Sequence, residues 1–174
     1  TLIKILAGIY ERDGGTVVID GTDAERLTPA DAPAAGIRFV HQALPLVPDM
    51  TVAENVWLGH ERSARGALRG RATPARATAA RHRVLGLRLS PSPLVRALGP
   101  AERKRVQVAR ALVDDSARLV VFDEPTAPLA SAEAEQLLGI IGRLRERGIS
   151  SLYISHYLGE VTRICDRVTV LRGG

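Results

Sequence analysis

The run Leu119-Val120-Val121-Phe122-Asp123-Glu124-Pro125-Thr126 passes from apolar to acidic within one step of the chain. A run this apolar suits a strand buried on both faces, as in a parallel sheet. Pro125 cannot extend a hydrogen-bond ladder, so Asp123 and Glu124 fall at or just beyond the strand's carboxyl end. Open α/β sheets hold their ligands at that edge. There one carboxylate can serve a Mg²⁺ ion while its neighbour handles a water. Acids after a strand also cap helices, so the pair gains its weight from what surrounds it.

Downstream, Ser131 to Arg147 reads as a long helix, N-capped by Ser131 and closed by Gly148. Ser150 to Ser155 reads as a strand, 157–164 as a short helix and Arg167 to Leu171 as a last strand. Upstream, a helix is expected from Glu102 to about Leu112, with Val106, Ala109, Arg110 and Val113 on one face. Thr51 can N-cap a helix reaching about Leu58, with Glu54 completing a capping box. Ile37 to Val40 is a strand leading into His41-Gln42, and Pro29 to Ala35 a short helix ending at Gly36. Nearer the start, Leu2, Ile5, Leu6 and Ile9 share one face of a helix over 1–10, Asp13-Gly14-Gly15 is a turn, and Thr16 to Asp20 is a short strand before the turn pair Asp20-Gly21. Strands alternating with helices argue for a parallel α/β core.

The 174 residues, 45% of them hydrophobic, are enough for one domain with a real core. No apolar run is long enough to span a bilayer, and none resembles a signal peptide. Cys165 is the only cysteine, which excludes an internal disulfide and fits a reducing cytosol. Aromatic residues make up 3%, too few for a base-stacking platform. The net charge is +5, much of it in Arg62, Arg65, Arg69, Arg71, Arg76, Arg81 and Arg83. This cluster reads as the solvated face of an Ala/Arg-rich insert, helical in parts over 61–97 and broken by Pro74, Pro91 and Pro93, rather than as a nucleic-acid footprint.

Four signals stand in order. Gln42 follows a strand in Phe39-Val40-His41-Gln42; Leu98-Gly99-Pro100-Ala101-Glu102 opens a helix; Asp123-Glu124 ends the apolar strand; Ile154-Ser155-His156 ends the next. This order resembles the Q-loop, signature, Walker B and switch histidine of the ATP-binding cassette (ABC) ATPases, and the resemblance covers essentially the whole chain. Gly36 to Gln42, Leu46 to Gly59 and the ending Arg167-Val168-Thr169-Val170-Leu171-Arg172 are further similar to the first cassette of simple-sugar importers that carry two cassettes in one polypeptide.

The resemblance implies an α/β fold: a P-loop NTPase-like ABC nucleotide-binding domain with a mostly parallel core sheet, an antiparallel β portion near the N-terminus and an α-helical subdomain. Residues 45–110 are expected to form the Q-loop and helical subdomain, and 111–174 the core from Walker B to the switch histidine. The implied cofactors are ATP and Mg²⁺. Asp123, with Gln42, would hold the metal; Glu124 would orient and deprotonate the attacking water; His156 would contact the γ-phosphate; Gln42 would link the site to a membrane partner. His41 is taken as a structural neighbour. Gly99, Pro100, Ala101 and Glu102 would face a nucleotide bound by an opposing cassette, since a loop opening a helix presents amide groups to an anion.

The chain departs from the family at Gly99, where serine is usual, and at Pro100, which removes an amide donor. Pro128-Leu129-Ala130-Ser131 replaces the D-loop aspartate. No G-x-x-x-x-G-K-[ST] string occurs. Thr1-Leu2-Ile3-Lys4-Ile5-Leu6 resembles the segment just after the Gly-Lys-Ser of that loop, making Thr1 a phosphate-contacting threonine and Lys4 helix surface. The expectation is therefore an N-terminally truncated cassette that alone binds ATP weakly or not at all and does not turn it over. Its parent would be the ATPase of a sugar importer on the cytoplasmic face of the membrane. The partners would be transmembrane permease subunits, a second cassette and, indirectly, an external sugar-binding protein, with no nucleic acid. Two other readings remain open: a non-catalytic nucleotide-responsive or assembly module, and a soluble cassette acting on DNA or ribosomes.

Overall fold

The computed structural model describes residues 1–19, 21–24, 27–41, 45–59, 63–64, 67–68, 86–87, 89–113 and 116–172. In chain order the elements are α1 (Leu2–Leu6), β1 (Val18–Ile19), β2 (Thr22–Asp23), α2 (Asp31–Ala34), β3 (Ile37–Val40), α3 (Val52–Trp57), β4 (Ser63–Ala64) and β5 (Ala67–Leu68). A 3-10 turn at Val95–Ala97 precedes α4 (Pro100–Ala111), β6 (Leu119–Asp123), α5 (Ser131–Glu146), β7 (Ser150–Ile154) and α6 (Leu158–Ile164).

The apolar strand β6 is the middle of a three-stranded parallel sheet in the order β3-β6-β7. Its side chains alternate between two layers. Val120 and Phe122 join Val40 in the larger core with Val106, Val108, Leu137, Ile141 and Leu144 from α4 and α5. Val121 and Ile37 pack on the opposite side with Ala32 and Ile3. Helices therefore cover both faces, which is why the strand carries no polar position before Asp123. The β1–β2 pair is antiparallel and lies near the N-terminus, as expected.

Gly36 joins α2 to β3 with φ +78, and a Cβ there would lie 2.6 Å from the carbonyl oxygen of Ser116. Its own carbonyl accepts from the amides of Arg118 (2.9 Å) and Leu119 (3.2 Å), so the entries to β3 and β6 touch backbone to backbone. Gly36→Ala is expected to lower the unfolding free energy by about 2 kcal/mol or more, since left-handed strain alone contributes about 1–2 kcal/mol. Urea denaturation measures this, and an unchanged midpoint would refute it.

Several sequence expectations are corrected. The first helix is α1 alone: Gly8, at φ +69 against the backbone of Thr28, ends it early, and Ile9 is exposed. The strand expected from Thr16 is only β1, and Asp20 lies outside the described residues. Helix α4 begins at Pro100 because proline suits the first helical position, and it is buried around much of its girth rather than on one face. Helix α5 is capped at Ala130, not Ser131; with no side-chain acceptor there, the Glu133 carboxylate reaches back 3.1 Å to the Ala130 amide. Most of the Arg/Ala-rich insert, expected to be helical in parts, lies outside the described residues; within it β4 and β5 pair antiparallel. Arg167 to Leu171 is not a strand: Val168, Val170 and Leu171 stand exposed, paired with no described strand. The capping box at Thr51 and Glu54 forms as expected, with Glu54 N donating to Thr51 Oγ1 at 3.2 Å and Thr51 N to Glu54 Oε2 at 2.9 Å. Among the described residues no helix is long and apolar enough to cross a membrane.

Candidate functional site

Because β3, β6 and β7 run parallel, their carboxyl ends emerge together. Val40 pairs with Phe122 and Asp123 with Ile154, so His41, Asp123-Glu124 and Ser155-His156 leave the sheet at one edge. Gln42, expected to join them, lies outside the described residues. His41 stacks on Phe39, their rings 5.4 Å apart and 5° from parallel.

Glu124 is the single non-glycine residue with positive φ (44°) among those described. Its amide donates to the Ile154 carbonyl at 2.9 Å, the last rung between the two strands. Its Oε1 lies 3.5 Å from His156 Nδ1, with the two side chains 36% and 59% exposed. A contact this open to solvent adds little stability. A side chain held in a disfavoured backbone conformation for so little stability points to use at the site. The His156 ring also lies 4.2 Å from that of Tyr157.

Asp123 is partly exposed beside Glu124. Among the described residues no group of three or more His, Cys, Asp or Glu is arranged to hold a metal ion by itself. Mg²⁺ does not require such a cage: it takes one or two carboxylates and completes its shell with water and phosphate oxygens. The two adjacent carboxylates at a strand end fit that donor requirement.

Sequence reasoning missed Lys104. It is 4% exposed inside α4, and its Nζ donates to the His41 carbonyl at 3.4 Å. Burial pushes its ammonium below the usual lysine range, and the charge of Asp123 opposes that shift. Also missed was a carboxylate behind the strand ends: Glu160 Oε2 accepts from Tyr153 Oη at 2.6 Å, Thr126 Oγ1 at 2.8 Å and Ser155 Oγ at 3.3 Å. Lysine and glutamate read as surface in a linear sequence; only the folded chain brings these partners to them.

At the α4 entry, Gly99 is the N-cap and Pro100 the first helical residue. Glu102 Oε2 accepts from the Gly99 amide at 3.1 Å, so that donor is engaged within the loop. The segment before it is stitched to the start of α3. Val52 N donates to Pro93 O, Ala53 N to Pro91 O, Val95 N to Met50 O and Arg96 N to Pro48 O, all between 2.9 and 3.0 Å. Arg96 Nη1 adds an ion pair with Asp49 at 2.9 Å. Thr1 caps α1 through its carbonyl, which accepts from Lys4 and Ile5, and its side chain makes no capping bond.

Over residues 1–127 the chain matches the ABC transporter family. It is similar along its whole length to a ribose import ATP-binding protein of Burkholderia thailandensis, 43% identical and covering 34% of that protein. An arabinose import ATP-binding protein of Rhizobium etli is 42% identical, again over the whole chain and 34% of the relative. The chain thus spans about a third of the length of the curated relatives it matches. A nucleotide-free ATP-binding cassette from an ABC transporter superposes with a TM-score of 0.79 at 25% identity, over 95% of this chain and 68% of that one. The family match over residues 1–127, more than half of the 174, establishes that the chain belongs to the ABC transporter family.

Proposed function

We propose that this chain is part of the ATP-hydrolysing component of a sugar importer, working at the cytoplasmic face of the membrane with permease subunits, a second cassette and an external sugar-binding protein. The observation that carries the reading is the convergence of Asp123, Glu124 and His156 at the carboxyl ends of neighbouring parallel strands, with Glu124 Oε1 and His156 Nδ1 3.5 Å apart. The sugar-import names of similar proteins support the substrate class. Residues 45–110 form the Q-loop and helical subdomain in this reading, and 111–174 the Walker B to switch-histidine core.

Each side chain then has a task. Asp123, with Gln42, holds the Mg²⁺ ion. Bound Mg²⁺ neutralises charge on the phosphates. Glu124 accepts the proton of the attacking water, for which a carboxylate open to solvent and fixed by the last ladder rung is suited. His156 donates a hydrogen bond to the terminal phosphate and passes its loss to the loop beyond it. Thr1 and the Gly99–Glu102 loop contact phosphate, the latter from an opposing cassette. Leu46 to Glu54 receives a permease helix.

The test is transport-coupled hydrolysis. The intact protein, reconstituted with its permease in vesicles, is expected to hydrolyse MgATP faster when the sugar-loaded binding protein is supplied. Hydrolysis indifferent to every sugar tested would overturn the importer assignment. One observation favours a second reading, the non-catalytic cassette. Pro100 supplies no amide and the Gly99 amide is engaged by Glu102, so the signature loop has fewer donors for phosphate. Nucleotide binding without hydrolysis in the reconstituted system would select that reading.

A further inference from the structure

Beyond the last rung, Glu124 N to Ile154 O, no ladder hydrogen bond joins the loops after β6 and β7 among the described residues. Yet these are the loops that carry Glu124 and His156, and Glu124 sits in a disfavoured conformation that its surroundings must impose. The structure supplies one group that touches both. Thr126, two residues past Glu124 and 4% exposed, donates to Glu160 Oε2. Tyr153 and Ser155, on either side of Ile154, donate to the same oxygen. Ser155 Oγ in turn accepts from the Tyr157 amide at 3.0 Å, so the residues flanking His156 are tied together.

We propose that Glu160 is a positioning residue, a single carboxylate that clamps the two strand-end loops and so holds Glu124 and His156 in working register. The proposal rests on the catalytic roles proposed for those two residues. A hydrogen bond to a carboxylate is stronger than one between neutral groups, so a carboxylate shared by three donors can offset the strain at Glu124. Burial, together with the hydrogen bond to Glu160, pushes the Tyr153 phenol above its usual range, which keeps it a protonated donor. A glutamate whose role were only to dock α6 would need no hydroxyl from each loop. The helix itself docks through Val161, which is buried, and Ile164, which packs on the core. Its Arg163 pairs through both terminal nitrogens with Glu135 at 2.7 Å without touching either loop's hydroxyls.

The experiment compares Glu160→Ala, Glu160→Gln and Arg163→Ala in the intact protein by two readouts. In hydrogen–deuterium exchange, Glu160→Ala is expected to speed exchange at Glu124 and Tyr157 about tenfold, the equivalent of losing one such bond. Arg163→Ala should leave those amides unchanged. In steady-state hydrolysis, Glu160→Ala should lower kcat about tenfold with the KM for ATP within twofold, while Glu160→Gln, which keeps an acceptor oxygen, should recover most of the rate. Unchanged exchange at Glu124 and Tyr157 in Glu160→Ala would overturn the clamp. So would an equal kcat loss in Arg163→Ala, since the effect would then be general loosening of α6. If the unmodified protein hydrolyses nothing while the exchange pattern appears as described, the catalytic reading fails and the clamp stands.

Discussion

In the intact importer ATPase proposed above, replacing Glu124 by glutamine is expected to slow ATP turnover by about 100-fold to 10,000-fold, the usual contribution of a positioned general base. Glutamine keeps the size of the side chain and an acceptor oxygen. It cannot take a proton from water at neutral pH. The backbone hydrogen bond from residue 124 to Ile154 involves no side chain, so the strand end is retained. Nucleotide affinity should therefore be preserved, which separates this variant from any that disturbs the fold. Hydrolysis measured under saturating MgATP, beside equilibrium binding of a non-hydrolysable analogue, gives both quantities. A rate within a few-fold of the unmodified protein would remove Glu124 from the chemistry and leave the adjacent Asp123 as the group to examine.

The largest loss of stability is expected at Asn55. Its side chain is 0% exposed. Oδ1 accepts from the Val47 amide at 2.8 Å, and Nδ2 donates toward the carbonyls of Val47 (3.0 Å), Thr51 (3.1 Å) and Met50 (3.3 Å). One amide thus ties together the main chain of the turn before α3, adding to the backbone bonds already there. Leucine has nearly the same shape and none of these bonds. The Val47 carbonyl keeps the Met50 amide, the Met50 carbonyl the Val95 amide and the Thr51 carbonyl the amide of residue 55. The loss is that of the Nδ2 bonds plus the cost of about 1–3 kcal/mol for a Val47 amide without its acceptor, and Asn55→Leu is expected to remove about 3 kcal/mol. Urea unfolding followed by circular dichroism measures it, and a loss under about 1 kcal/mol would mean that water replaces the amide.

What could be read from the sequence divides along a physical line. Strand β6 and the carboxylates at its end were legible because a strand buried on both faces has no polar residue until it ends, and His156 by its place directly after the next strand. The Thr51–Glu54 box was legible because its partners are three residues apart. Arg167 to Leu171 misled because alternating valines favour extended chain, but a strand also needs a neighbouring edge, and no local pattern records one. The early end of α1 depends on Gly8 meeting Thr28, again a distant contact. The same holds within the site: Asn55 acts on neighbours close in sequence but reads as an ordinary helix residue, Glu160 meets Thr126 across 34 positions, and Lys104 meets His41 across 63. Polar residues that organise a site through remote partners carry no periodicity to betray them.

The main-chain stitching between 48–53 and 91–96 has a consequence for how such chains diversify. Both ends of the intervening stretch are anchored by backbone groups, which every residue except proline supplies in full. The tie is therefore largely indifferent to side-chain replacement. The entropic cost of joining two fixed ends grows only with the logarithm of the number of residues between them. Insertions, deletions and compositional drift between those anchors can accumulate while the entry to α4 and the turn held by Asn55 keep their places. The arginine-rich tract falls between these two anchors in the sequence.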